Sequence, residues 1–115
     1  LSQHIIYAGF IPKIELYYTA ADIFLNPVLS GGGIKTKMVE AIAYGATVIS
    51  TETGATGINK EVCGSKLVLV KDGDWDAFAE AVIKAGLETD TPTPPAYYQT
   101  YHWESIISNI LERAI

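Results

Sequence analysis

The chemistry of this chain starts in the stretch NPVLSGGGIKTKMVEAIAYG, Asn26 to Gly45, at three consecutive glycines, Gly31, Gly32 and Gly33. Glycine lets a backbone approach a ligand closely and turn its N–H groups inward. An amphipathic segment follows at once, and a helix N-terminus adds unpaired N–H donors and a partial positive charge. Such an arrangement would hold an anion, a phosphate above all. Neither familiar phosphate motif is present. G-x-x-x-x-G-K-[ST] fails because Ile34 separates Gly33 from Lys35, and Leu29 stands where the first glycine would fall. G-x-G-x-x-G fails because Thr36 takes the place of the last glycine.

The charges that follow the glycines point the same way. A helix that only had to fold would favour Asp or Glu in its first turn. This segment carries Lys35 and Lys37 and no acid before Glu40. An anion at the helix start removes the conflict; a purely structural tight turn is the alternative. At about 100° per residue, Thr36, Lys37, Glu40 and Tyr44 fall within roughly one quadrant. The apolar stripe of Ile34, Met38, Ala41 and Ile42 lies opposite. Lys37 and Glu40 are i, i+3 neighbours. They form either a surface ion pair worth roughly a few tenths of a kcal/mol, or a site where the Glu40 carboxylate accepts ribose hydroxyls while the loop holds phosphates. Spacing leaves both open.

These residues need elements to hold them. His4 to Phe10 is an apolar run with a buried-strand pattern. Pro12 opens a short helix in KIELYYTAAD, with Ile14, Tyr17 and Tyr18 on one face. DIFLNP is a second strand, stopped by Pro27. A helix runs from about Ile34 to Tyr44 and Gly45 terminates it. ATVIST is a third strand, rich in β-branched residues. A polar loop with a helical turn leads to a fourth strand, KLVLV. Asp74 caps a helix from Trp75 to about Ala85, whose buried stripe is Phe78, Ala81, Val82 and Ala85, and Gly86 ends it. The chain thus divides into a truncated Rossmann-like domain over residues 1–86, a Thr/Pro-rich connector over 87–96 and a C-terminal amphipathic helix over 97–115.

The strands are apolar throughout and do not alternate, which argues burial on both faces. The expected fold is therefore α/β, a Rossmann-like parallel sheet with helices on both faces. Such sheets bind ligands at the loops after the carboxyl ends of their strands. Ala8 to Ile11, Asn26 to Gly33 and Thr51 to Asn59 occupy that edge.

Bulk properties bound the function. The chain has 115 residues, enough for one domain, and 49% are hydrophobic, enough for a globular core. A formal charge of -5 argues against general nucleic-acid binding, which leans on clustered Lys and Arg. Cys63 is the one cysteine, so neither an internal disulfide nor a multi-Cys metal site is expected, and a small buried hydrophobe in a reducing compartment is. His4 and His102 lack partners at metal spacing, so no metal is expected. No run approaches the roughly 20 apolar residues of a membrane span, and no signal peptide is visible. The chain opens on Leu1, and the expectation is that its start has been cut from a longer protein.

The residues from Tyr7 to Ile58 carry a resemblance. Gly9-Phe10 at a strand end, an LYY..AD helix, a strand ending at Pro27, the glycine loop, K-x-x-E-A-x-A-x-G from Lys37 to Gly45, and V-I-S-T…G…G-I occur in that order. Tyr101-His102-Trp103 looks like a Tyr-Ser-Trp entry to a last helix. Together these resemble the C-terminal, nucleotide-sugar-binding domain of retaining glycosyltransferases with the GT-B fold, family 4, also called glycosyl transferases group 1. The resemblance implies a partial GT-B domain whose donor is a nucleotide-diphosphate sugar, with no further cofactor. It implies that Gly31, Gly32, Gly33 and Ile34 meet the diphosphate, that Glu40 binds the ribose, and that Lys37, Gly9 and Pro27 belong to the same site. It assigns no catalytic residue. The family's first Glu of an E-x7-E pair is absent, because Gly32 stands in its place. The family's phosphate-side Arg and Lys and its acceptor-binding N-terminal domain lie outside these 115 residues, so turnover by them alone is not expected. Implied partners are the nucleotide sugar, that N-terminal domain, and a second copy through the C-terminal helix; nucleic acid is not among them. The implied location is cytoplasmic, with any contact to the inner face of the membrane made by the N-terminal half. Competing readings are a nucleotide-sugar epimerase of the same architecture, a fragment that binds nothing, and a response-regulator-like domain. The last needs acidic strand ends, and here they are Gly9, Pro27 and Thr51.

Overall fold

The run TVIST is β-branched at all but one position, and it forms the middle strand of a parallel three-stranded sheet with every residue buried. The computed structural model describes residues 4–9, 12–30, 36–88 and 91–101. In chain order its elements are α1 (Ile14–Ala20), β1 (Ile23–Asn26), α2 (Thr36–Ala43), β2 (Thr47–Thr51), a 3-10 turn (Thr53–Ala55), α3 (Lys60–Cys63), a second 3-10 turn (Gly64–Lys66), β3 (Leu67–Val70), α4 (Trp75–Leu87) and α5 (Pro95–Tyr101). The sheet order is β1-β2-β3. Ile23 to Asn26 pair with Thr47 to Ser50, and Val48 to Thr51 pair with Leu67 to Val70.

Helices cover both faces of this sheet, as the apolar strands require. On one face Val48 and Leu67 join Tyr18, Met38, Ala41, Ile42, Cys63 and Tyr97, drawn from α1, α2, α3 and α5. On the other, Ile49 and Val70 join Phe78 and Ala85 of α4. Fully burying a side chain of the size of Ile42 or Ile49 is worth roughly 1.5–3 kcal/mol. Asp74 caps α4 as expected, its carboxylate accepting from the Ala77 N–H at 3.0 Å.

Helix α2 matters most for the site, and its C-terminal carbonyls are all answered. Gly45 adopts φ +94°, a left-handed conformation that glycine takes without strain. Its N–H donates to the Ile42 carbonyl at 2.9 Å, while the Ala46 N–H donates to Ala41 at 3.0 Å, a Schellman ending. The Thr93 hydroxyl donates to the Ile42 carbonyl (2.7 Å), the Tyr98 hydroxyl to Ala43 (2.9 Å) and the Tyr97 hydroxyl to Val39 (2.6 Å). The Lys66 ammonium donates to the Gly45 carbonyl at 2.7 Å. Lys66 is buried, and desolvation lowers its pKa while Asp22 pulls the other way. A cation at the negative end of α2 also suits the helix dipole.

Three expectations change. Residues 4–9 form no strand; Ile6 and Tyr7 are 88% and 87% exposed. An apolar run becomes a strand only beside another strand, and none among the described residues lies beside this one. Among the described residues the sheet accordingly has three strands rather than four. Gly86 does not end α4, which continues one residue to Leu87 and closes with the Glu88 N–H on the Ala85 carbonyl. Pro95 opens α5 at its first helical position, where its missing N–H costs nothing, so helices enter the Thr/Pro-rich connector from both ends. Residues 102–115, most of the expected C-terminal helix, lie outside the described residues. Among the described residues no helix is long and apolar enough to cross a membrane.

Asp74→Ala removes the α4 cap and is expected to lower stability by about 1 kcal/mol, measured by urea unfolding. Cys63 is fully buried, and burial pushes its thiol up to about 11 from 9.0, against a weaker opposite pull from Lys60. The fold holds this proton more tightly than the unfolded chain does. The contribution is therefore complete below pH 9.0 and is lost as pH rises toward 11. Melting temperatures are expected to fall over that window and to fall less steeply in Cys63→Ala; equal slopes would assign the loss to other groups.

Candidate functional site

The strands turn polar where they end. Asn26 closes β1, and Ser50 and Thr51 close β2, so three hydrogen-bonding side chains gather at the carboxyl edge of the sheet. Asn26 Nδ2 lies 3.1 Å from Ser50 Oγ, 3.2 Å from the Gly54 carbonyl and 3.0 Å from Met38 Sδ. Ser50 Oγ donates onward to the Thr51 carbonyl at 2.8 Å. Thr51 Oγ1 donates to the Val28 carbonyl and accepts from the Gly54 N–H at 3.0 Å. The connection leaving β1 and the one leaving β2 are thereby drawn together.

The far side of the second connection is tied to the third strand. The Thr53 hydroxyl and N–H both donate to the Asp72 carboxylate, the N–H at 3.0 Å. These bonds hold the Asp72 carboxyl below its ordinary pKa. The Glu52 N–H reaches the Val70 carbonyl at 3.0 Å. At the other end of this connection the Asn59 N–H donates to the Tyr101 hydroxyl at 2.8 Å.

The residues expected to form the site fall in different places. Pro27 follows β1 directly and is exposed at the edge. Lys37 is exposed in the first turn of α2. Gly9 has φ +69° and is exposed, in a segment outside the sheet. Gly31, Gly32, Gly33 and Ile34 lie outside the described residues.

Glu40 corrects the helix projection. It is only 1% exposed, not on a solvent face. The cover extends beyond the apolar stripe to Glu40, though not to Lys37, because α2 is enclosed by more than the sheet. Tyr18 of α1 stacks on Tyr44 with ring centroids 6.1 Å apart, and α5 reaches the α2 backbone through Tyr97 and Tyr98. A surface Lys37–Glu40 pair is therefore not present. A carboxylate is enclosed to this degree only where it is partnered, and Glu40 is.

The sequence offered one unused signal for the rest. Asn26, Ser50 and Thr51 are polar positions inside otherwise apolar runs, and Gly54 and Asp72 sit in the loops beyond them. Asn26, Ser50, Thr51 and Gly54 satisfy one another, so they shape the edge rather than offer free donors. Among the described residues no group of three His, Cys, Asp or Glu side chains could hold a metal ion. A cleft of about 330 Å³ lies elsewhere, between β3 and α4, with Thr47, Lys60, Lys84 and Glu88 among its lining. It holds none of the network residues, and ligands of parallel sheets bind at the carboxyl edge, so the edge is the candidate site.

Comparison with known proteins follows the same lines. No solved structure shows significant similarity to the chain. A Klebsiella pneumoniae protein described as an uncharacterized 44.6 kDa protein in the cps region is 33% identical over 60 residues. The match covers 52% of this chain and 15% of that protein, so the shared part is a small piece of the relative's length. The family model described as glycosyl transferases group 1 matches residues 1–86, which include the α2 helix, the carboxyl-edge network and most of α4. The chain belongs to the glycosyl transferases group 1 family.

Proposed function

We propose that this chain is the donor-binding part of an enzyme that transfers a glycosyl group from a nucleotide-diphosphate sugar to an acceptor, with retention of configuration. Family membership supports glycosyl transfer. One observation carries the donor reading furthest: the Glu40 carboxylate, 1% exposed, is built into the helix that follows the glycine run at the carboxyl edge of the sheet. In this reading the amides of Gly31, Gly32, Gly33 and Ile34 meet the diphosphate, and Lys37 adds positive charge nearby. Glu40 accepts the ribose hydroxyls, and Gly9 and Pro27 belong to the walls.

The transfer breaks the bond between the anomeric carbon and the diphosphate oxygen. It forms a bond from the acceptor oxygen to that carbon on the same face, and the proton of the acceptor hydroxyl passes to the departing diphosphate oxygen. Backbone donors stabilise the charge that develops on the departing diphosphate. The acceptor and the remaining cleft belong to further parts of the protein, in keeping with the 15% share of the Klebsiella relative that the match spans.

Calorimetric titration with UDP, GDP and ADP, and with their sugars, tests this reading. One diphosphate is expected to bind. Glu40→Gln, which keeps the side-chain volume, is expected to weaken it by about 1–3 kcal/mol, the cost of a hydrogen bond to a charged group. Unchanged affinity in that variant would sink the ribose role. The 115 residues alone are expected to turn over no donor; product formation by them would show that the acceptor site is also present.

A further inference from the structure

One oxygen atom touches both connections at the carboxyl edge. Thr51 Oγ1 donates to the Val28 carbonyl, on the way from β1 to α2, and accepts from the Gly54 N–H at 3.0 Å, on the way from β2 to α3. Asn26 repeats the link, reaching Gly54 on one side and Met38 of α2 on another. Thr51 and Ser50 are fully buried. Gly54 is pressed into this group: an added Cβ would lie 2.6 Å from Asn26 Nδ2 and 2.9 Å from the hydroxyls of Ser50 and Thr51. Those atoms end short side chains already held by hydrogen bonds, so a side chain at position 54 would have to break them.

Such a cluster is costly to build. Enclosed polar groups are favourable only when every member is satisfied, and the strands alone would be served by apolar residues at these positions. What the cluster achieves is geometric. It sets the entry to the glycine-bearing connection at a fixed place against the Thr53–Ala55 turn, as binding constellations require of the residues behind them.

We propose that Thr51, together with Asn26, is a positioning residue for the donor site: its hydroxyl locks the start of the β1–α2 connection to the β2–α3 connection, so that the two present themselves to the ligand as one unit. The proposal rests on the donor-binding reading above.

Thr51→Val keeps the side-chain shape and removes the hydroxyl, and Thr51→Ser keeps the hydroxyl. Both are compared with the parent at a temperature where circular dichroism shows each folded. Amide exchange is followed at Val28 to Ser30 and at Gly54 to Gly57, and affinity for UDP, GDP and ADP is measured by calorimetry. Thr51→Val is expected to speed exchange in both segments together and to weaken diphosphate binding tenfold to roughly a hundredfold, the range opened by misplacing a binding group by about 1 Å. Thr51→Ser is expected to restore both. Parent-like exchange at Val28 to Ser30 in folded Thr51→Val overturns the lock. Faster exchange with unchanged affinity overturns the positioning role and reduces the hydroxyl to a stabilising contact. Faster exchange in both segments, in a protein whose parent binds none of the diphosphates, upholds the lock and removes the donor reading instead.

Discussion

Strand β2 has a neighbour on each edge and a helical layer on each face, and no residue of it is exposed. The rest of the molecule answers that enclosure. Its apolar residues, Val48 and Ile49, point to opposite layers and so demand helices on both sides. Its polar residues, Ser50 and Thr51, come at the carboxyl end, where the chain leaves the sheet. A buried hydroxyl must find a partner: Ser50 finds Asn26 and the Thr51 carbonyl, and Thr51 finds the backbones of the two connections. The candidate site is thus a product of closing the core as well as of its own residues.

Helix α2 meets a similar demand from another direction. It is short and mostly buried, so its terminal carbonyls cannot rely on water. The Schellman ending at Gly45 answers some of them, and Thr93 and Tyr98 from later in the chain answer the others, with Lys66 just beyond. Tyr97, fully buried, combines a large apolar ring with a hydroxyl on the Val39 carbonyl. The helix carrying Glu40 and Lys37 is consequently held by the sheet on one side and, from Val39 to Ala43, by the segment from Thr93 to Tyr98.

The elements were legible where composition and local chemistry agree. Short apolar runs marked β1 and β3, a β-branched run marked β2, Asp74 marked the start of α4, and Gly45 marked the end of α2. The parallel arrangement followed from strands that are apolar without alternation. The family was legible too, because its motifs are local spacings of Gly, Lys, Glu and Ala between Pro27 and Gly45.

What escaped were facts that depend on neighbours distant in the chain. The run from His4 to Gly9 has strand composition but lies outside the sheet, because pairing is a property of two segments and not of one. The projection of α2 set Glu40 opposite the apolar stripe and left its exposure open, since a helical wheel cannot say how many sides are covered. Glycine's place at Gly54 was likewise invisible, being set by Asn26, Ser50 and Thr51 closing around it. By itself the sequence determined the three paired strands, the helices α1, α2 and α4 and which residue types stand at the candidate site, because those follow from periodicity, propensity and short spacings. Only the tertiary structure decided which of these residues are enclosed, which two turns share one hydroxyl, and which side of α2 is left to water, because burial and hydrogen-bond partnership arise when distant segments compete for the same space.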